Sequence, residues 1–310
     1  MEESHQLTLS LVIVTYNRDQ VLIDTIGHLL SQADECPEFM EFLIIDQTKQ
    51  HSPEADGALK LWAAEKRIRW IRLPEPDLVG AMNRGLVEAQ GEVILYTDDD
   101  VIPRENLLKN HVKAFYEKPD AGAVIGQVIQ PRQSVISVSY DASGSHLKRY
   151  MNFPFNSSFG RYVENVIGCN LAVRKDSAIS VGGFDENYRP PVASRFETEF
   201  AKRLVKNGGK IWFEPSASLH HLAAKSGGTR SKGSHLTSAS PRYGVGDHYY
   251  ALVHGRGVEK YVYCLRRLFR EVRTKFHLRH PWYIPVKLIG EIRAFVQAVK
   301  LARGSQKLLE

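Results

Sequence analysis

The first half of the chain alternates short runs of apolar, β-branched residues with longer stretches whose apolar positions recur every three or four residues. Residues 9–14 are apolar almost throughout and predict a strand buried on both faces, as strands of a parallel sheet are. Over residues 20–32, Val21, Leu22, Ile26, Leu29 and Leu30 share one side and predict an amphipathic helix. Strand, helix and strand follow at 42–45, 55–65 and 68–73, and Pro74-Glu75-Pro76 breaks the chain. A short helix at 81–89 leads to a fourth strand, 92–97, which runs straight into Asp98-Asp99-Asp100. The pattern continues with a helix at 106–116 and a strand at 123–129, then loses its period over 131–160, which reads as loop or short strands. Beyond it come a strand at 168–173, a tight turn at Gly182-Gly183-Phe184-Asp185, a helix at 197–207 ended by Gly208-Gly209, and a strand at 210–213. Such a succession predicts an α/β domain with a mainly parallel central sheet flanked by helices.

Residues 223–240, rich in Gly, Ser, Lys and Thr, predict a mobile loop or linker. Two helices then follow. In the first, Val262, Leu265, Leu268, Phe269, Val272 and Phe276 share a face; in the second, Leu288, Ile289, Ile292, Phe295, Val296 and Val299 do. Neither is a continuous apolar run of about 20 residues, so the pair can lie on a bilayer but not cross it. Charge sharpens this picture, because residues 255–310 hold 13 Lys and Arg against 4 Asp and Glu, a net +9, while the rest of the chain is at −3. The basicity therefore belongs to the helical extension, and the expected partner there is an anionic membrane surface, with packing on protein as the alternative. Residues 1–5 lack a basic segment and the first apolar run is too short for a secretion signal, so a cytoplasmic protein, peripheral on the inner face of the membrane, is expected. Cys36, Cys169 and Cys264 form no CxxC pair and predict neither a disulfide framework nor a zinc site.

Ligands of open parallel sheets bind beyond the carboxyl ends of the strands. Three polar clusters fall there: Thr15-Tyr16-Asn17-Arg18, Asp46, and Asp98-Asp99-Asp100. Three adjacent carboxylates repel one another unless the chain splays them or a cation binds, and hard oxygen ligands suit Mn²⁺ or Mg²⁺. In an extended segment Asp98 and Asp100 point to one side and Asp99 to the other, which gives Asp100 to the metal and Asp98 to sugar or ribose hydroxyls.

These segments, with Gly80-Ala81-Met82-Asn83-Arg84-Gly85, Gly168-Cys169-Asn170-Leu171-Ala172-Val173-Arg174, Gly182 to Glu186 and the stretch from Pro215 to His221, occur together in an order that resembles family 2 glycosyltransferases of the GT-A fold, from Leu9 to about Leu222. The resemblance implies a catalytic domain at 1–235, with a nucleotide-sugar half to about 105 and an acceptor half to 235, followed by the basic extension at 241–310. It implies a nucleotide-sugar site at Thr15, Tyr16, Asn17, Arg18, Asp46, Asn83, Asp98 and Asp99. Asp98, Asp100 and His221 would hold the metal, Glu197 would be the general base, and Asn170, Gly183, Phe184 and Asp185 would meet the acceptor. The implied reaction moves a sugar from a nucleotide diphosphate-sugar to a saccharide or lipid-linked hydroxyl, with inversion, in polysaccharide or glycolipid synthesis. Glu197 and Glu199 lie roughly 200° apart on a helix, so only one can face a cleft; the alignment favours Glu197. The chain departs from the family in having Phe196 before Glu197, where an acidic residue is frequent, and Met82 where Arg is.

Rival readings are weaker. Residues 15–20 contain no glycine for the phosphate loop of a nucleotidyltransferase, and no GxGxxG follows a strand as in a dehydrogenase. A non-enzymatic membrane- or nucleic-acid-binding protein, driven by the basic tail, is the remaining alternative; nucleic acid is not the expected partner, and homo-oligomerisation stays open.

Overall fold

The structure, a computed structural model, describes residues 6–137, 140–190, 192, 194–224, 226–228 and 234–310. The first part of the chain runs β1 (Leu9–Thr15), α1 (Gln20–Ala33), β2 (Phe39–Asp46), α2 (Pro53–Ala64), β3 (Arg69–Arg72), α3 (Leu78–Glu88) and β4 (Val93–Thr97). It is followed by β5 (Val101–Pro103), α4 (Leu107–Glu117), β6 (Ala121–Ile129), β7 (Arg161–Val163), β8 (Asn170–Arg174), α5 (Lys175–Ser180), α6 (Phe196–Lys206) and β9 (Lys210–His221). The strands form one sheet in the order β3-β2-β1-β4-β8-β6-β9-β5, with β7 also on β9. From β3 to β4 every pair is parallel, so the ends of β1, β2 and β4 open on the same edge. β8 then enters antiparallel between β4 and β6.

Alternation along the strands sends side chains to two apolar layers. Val12, Leu43, Ile45, Ile94 and Tyr96 pack on one side; Leu11, Ile13, Phe42, Ile44 and Leu95 pack on the other. That both sets are buried explains the continuous apolar runs of β1, β2 and β4. Helix α3 starts at Leu78, three residues before the periodicity predicts, because the Asp77 carboxylate accepts the Gly80 N–H at 3.1 Å and caps it. The aperiodic stretch is irregular, with an isolated bridge between Ile136 and Ser157. Of the expected loop at 223–240, residues 225 and 229–233 lie outside the described residues. Cys36, Cys169 and Cys264 are free and buried.

The extension comprises α7 (Val245–His254), α8 (Glu259–Val272), α9 (Lys275–Arg279) and α10 (Tyr283–Arg303). Its two long helices turn mainly polar and small residues inward and leave much of each apolar stripe exposed. Helix α8 buries Tyr263, Cys264 and Arg267 and leaves Val262, Leu265 and Phe269 exposed; α10 buries Lys287, Gly290, Glu291, Ala294 and Ala298 and exposes Ile289, Ile292 and Val296. Small residues permit close approach on the inner side, where a Cβ on Gly244 would meet that of Ala294 at 2.9 Å. The inner charges are mutually satisfied: Arg267 pairs with Asp247 and Glu291, and Lys287 with Glu291 at 2.9 Å. Two of the basic residues expected at the surface are thus inside, where paired charges are tolerated and unpaired ones are not. Val245, Tyr249, Ala294 and Ala298 join the same apolar layer as Val12. Among the described residues no helix is long and apolar enough to cross a membrane.

Candidate active site

Beyond the ends of β1 and β4 lies a cavity of about 250 Å³ lined by Val14, Arg18, Leu78, Met82, Tyr96, Thr97, Asp98, Asp99, Asp100, Gly168, Phe196, Glu197, His221 and Gly228. Its polar wall starts where β4 ends. Backbone alternation splays the three aspartates as the sequence predicts. Asp99 turns inward, accepts a hydrogen bond from Thr15 Oγ1 at 2.7 Å and lies 3.6 Å from Arg18 Nε. Burial drives its carboxyl up to about 7 despite Thr15 and Arg18, which act in the other direction.

Asp98 and Asp100 face His221, whose Nε2 stands 3.1 Å from Asp98 Oδ2 and 3.4 Å from Asp100 Oδ1. Antiparallel pairing of β5 with β9 brings the histidine there: Val101 is opposite His221, and Leu222 N–H donates to Asp100 O at 2.8 Å. One donor atom from each of the three residues lies within 4.8 Å of the others. Two carboxylates and an imidazole at that spacing fit a divalent cation of the Mn²⁺ or Mg²⁺ type, with room for phosphate oxygens in its shell. Arg18 adds charge from β1's side. Its Nη2 is 3.5 Å from Asp100 Oδ2, while Nε and Nη1 are buried with no hydrogen-bond partner among the described residues. A buried guanidinium with spare donors beside a cation site suits an anionic ligand such as a diphosphate.

The opposite wall holds Glu197, in the first turn of α6. Its Oε1 accepts the Gly168 N–H at 2.5 Å, and a Cβ on Gly168 would come within 2.7 Å of that oxygen, so only glycine allows the approach. Burial pushes the Glu197 carboxyl up to about 7, with Asp98 adding to the rise and the Gly168 N–H and Arg195 opposing it. Glu199 is in a different environment. It is fully buried away from the cavity, held by Arg203 Nε and Nη2 at 2.7 Å each, His254 at 3.1 Å and Gln306 at 2.7 Å. Burial alone would raise its carboxyl; His254 and Arg203 instead bring it down to about 2. The geometry therefore gives the cavity to one of the two glutamates, and it is Glu197.

Several expected contacts are taken up by the protein itself. Asp46 is fully buried and accepts from His51 Nε2 at 2.8 Å, Trp70 Nε1 at 2.9 Å and the Thr48 N–H at 2.8 Å. The Asn83 amide is spent on Phe184, accepting its N–H and donating to its carbonyl, both at 2.8 Å. Asn170 is enclosed by His111, Gln127 O and Ala217 O. Phe184 packs edge-on against Tyr96, Asp185 bonds Tyr249 and the Lys307 N–H, and Gly183, at φ 62°, is covered by Leu309. None of these lines the cavity, because a turn that must be held rigid uses the same Gly, Asn and Asp that a binding loop would. Thr15 acts through Asp99, while Tyr16 and Asn17 accept and donate backbone bonds to Gly228 and Thr48. The apolar wall has no separate signature in the sequence, although Leu78 and Met82 are one helical turn apart and Tyr96 alternates with Asp98.

One consequence is measurable. Asn83→Ala strips two buried backbone groups of Phe184 of partners, each costing about 1–3 kcal/mol. Denaturant unfolding should show a loss of about 2–4 kcal/mol, with ligand affinity of the cavity unchanged within about threefold. A fully stable variant with weakened nucleotide binding would return Asn83 to the ligand.

Comparison with known proteins bears on the family and the fold. Residues 10–182 match the model of glycosyl transferase family 2. Glycosyltransferase GlyG of Streptococcus pneumoniae is 29% identical over 119 residues, 38% of this chain and 38% of GlyG, so the matched region spans well under two thirds of that relative. The fold is similar to that of GalNAc-T7, solved with UDP, GalNAc and Mn²⁺, at a TM-score of 0.61 and 16% identity over 91% of this chain and 57% of that one. It is also similar to the mannosyltransferase PcManGT of Pyrobaculum calidifontis, solved with GDP-Man and Mn²⁺, at 0.53 and 18% over 97% and 77%. With more than half of its length matched by the family model and a GT-A fold around the cavity, the chain belongs to glycosyl transferase family 2.

Proposed function

We propose that this cavity transfers a sugar from a nucleoside diphosphate-sugar to an acceptor hydroxyl, with inversion at the anomeric carbon. The observation that carries the reading is that Asp98, Asp100, His221 and Arg18 share one small cavity with Glu197. Departure of a nucleoside diphosphate requires neutralisation of charge developing on the phosphates. A divalent cation held by Asp98, Asp100 and His221 would supply that as a Lewis acid. Arg18 contributes donors to the same oxygens, and Asp99, tied to Thr15, keeps the guanidinium in place. Glu197 accepts the proton of the incoming hydroxyl. Its elevated carboxyl matches a base that must take a proton near neutrality and later release it. Among the lining carboxylates, the aspartates are committed to the cation and to Arg18, so Glu197 is left for proton transfer and no carboxylate is placed as a covalent nucleophile. The UDP and GalNAc found with one structural neighbour and the GDP-Man found with the other support a nucleotide-sugar donor. The test is binding and slow hydrolysis across UDP-, GDP- and dTDP-sugars with and without Mn²⁺ or Mg²⁺. Cation-dependent recognition of one donor is expected; indifference to all of them would end the reading.

The acceptor is proposed to be saccharide or lipid-linked, in polysaccharide or glycolipid synthesis at the inner face of a membrane. What supports this is the bare face of the extension: Val262, Leu265, Phe269, Leu278, Trp282, Ile289, Ile292 and Val296 are exposed there, with Arg266, Arg270, Arg273, Lys275 and Arg293 around them. Apolar side chains rimmed by cations suit an anionic bilayer surface, where each Lys or Arg contributes about 1 kcal/mol. The full chain should sediment with anionic phospholipid vesicles, and Leu265→Asp with Phe269→Asp should cut the bound fraction about tenfold. Recovery of the unmodified chain entirely in the supernatant would remove the membrane from the proposal.

A further inference from the structure

We infer that the C-terminal helices complete the catalytic apparatus: Asp247 on α7 holds Arg195, and through it the first turn of α6 from which Glu197 projects. This rests on the assignment of Glu197 as the base.

Two features of the entry to α6 call for support from outside the helix. Arg195, immediately before the helix, has φ 74°, a left-handed conformation that costs a non-glycine residue about 1 kcal/mol or more. Among the described residues no side chain caps the helix there, although helices generally start on Ser, Thr, Asp or Asn. Something else must hold the turn, and α7 lies against it. Arg195 Nε donates to Asp247 Oδ1 at 2.8 Å. The backbones are in contact as well, since a Cβ on Gly246 would fall 2.0 Å from Ser194 O. The Arg195 carbonyl in turn accepts the Glu199 N–H at 2.9 Å, the first bond of the helix.

Asp247 is itself fixed from three sides. Arg267 Nη1 and the Tyr263 hydroxyl, the latter at 3.0 Å, both reach it from α8, and Arg267 Nε continues to Glu291 Oε2 on α10 at 2.9 Å. A chain of buried charges therefore runs from α10 through α8 and α7 to the residue two before Glu197. Buried ion pairs are rarely more stabilising than apolar packing of the same volume, but they are directional. Here the direction is towards a side chain whose oxygen is set by a single backbone N–H, and an error of about 1 Å in placing a catalytic group can cost about 10²-fold in rate. Arg195 and Asp247 are accordingly positioning residues.

The test uses the full chain with the donor identified above. Arg195→Ala and Asp247→Asn are expected to lower kcat by about 10- to 100-fold while KM and donor Kd stay within about threefold. The double variant should be no worse than the poorer single, since both break one link, and Arg195→Lys should recover part of the loss. Assays run well below each variant's Tm, so a purely structural role would reduce the folded fraction and leave kcat per folded molecule intact. Should Asp247→Asn fail to fold because Arg267 loses its partner, Arg195→Ala carries the test, its side chain being 27% exposed. Unchanged kcat in the folded single variants beside an inactive Glu197→Gln overturns the positioning role alone, as do losses that multiply in the double. Full activity in Glu197→Gln overturns the base assignment and this inference with it.

Discussion

Asp100→Ala is expected to lower sugar transfer by about 10³-fold or more, and excess Mn²⁺ should not restore it. The magnitude follows from what the carboxylate does in the cavity. Asp100 is buried, supplies one of three converging donor atoms, accepts the Ala224 N–H at 2.7 Å and lies 3.5 Å from Arg18 Nη2. Removing it leaves Asp98, which is half-buried, and His221 to hold a cation, and it also frees Arg18 from one anchor. A cation neutralising a leaving diphosphate contributes several kcal/mol, and about 4 kcal/mol corresponds to about 10³ in rate. Asp99→Asn is the informative contrast. Asp99 points at Thr15 and Arg18, away from His221, and an amide retains acceptance from Thr15, so a loss under about tenfold is expected from weaker anchoring of Arg18 alone. Titration calorimetry with donor and Mn²⁺ separates the cases: Asp100→Ala should lose cation-dependent binding and Asp99→Asn should keep it. Cation-dependent binding in Asp100→Ala within about threefold of the unmodified chain would exclude the Asp98–Asp100–His221 group as the metal site.

The aspartate cluster was readable because its determinants are local. Once β4 is recognised as a strand, alternation decides which carboxylates converge, and the structure keeps that alternation through Asp98, Asp99 and Asp100. The same holds for β1 and for the second half of β2, whose largely apolar runs announce burial on both faces. His221 needed the resemblance, since it meets Asp100 only through the pairing of β9 with β5, more than a hundred residues apart in the chain. Asp46, Asn83 and Asp185 show the opposite limit. Asp46 reads as a ligand contact from its place at the end of a strand, and Asn83 and Asp185 from the resemblance, but these side chains bond His51, Phe184 and Tyr249 instead. Periodicity located the apolar stripes of α8 and α10 but not what packs behind them. A hydrophobic stripe marks the side that avoids water or meets lipid, and it cannot reveal that Arg267, Glu291 and Lys287 find partners inside. The link from Asp247 to Arg195 joins segments whose proximity no local pattern encodes.

Glu197→Gln should abolish most of the turnover and at the same time stabilise the fold at alkaline pH. As the proposed base, Glu197 works ionised; with its carboxyl at about 7, kcat/KM should rise with pH through about 7 and level off above it. Replacement by an isosteric amide that cannot take a proton is expected to cost about 10²- to 10⁴-fold and to remove that acid limb. The stability effect has the reverse sign. Because the folded carboxyl lies above its ordinary 4.5, the native state binds this proton more tightly than the unfolded chain does. The stabilisation is fully present below 4.5 and is lost as pH rises through 7, where an ionised carboxylate must be kept in a poorly solvated wall. A neutral amide escapes that penalty and can still accept the Gly168 N–H, so at pH 8 the variant should gain about 2–3 kcal/mol, an advantage that disappears near pH 4.5. Paired measurements of kcat/KM and denaturant unfolding from pH 5 to about pH 9 test both halves together. A variant that is slow but no more stable than the unmodified chain would mean the carboxylate is better solvated than its surroundings indicate; a variant that is fast would mean that another group takes the proton.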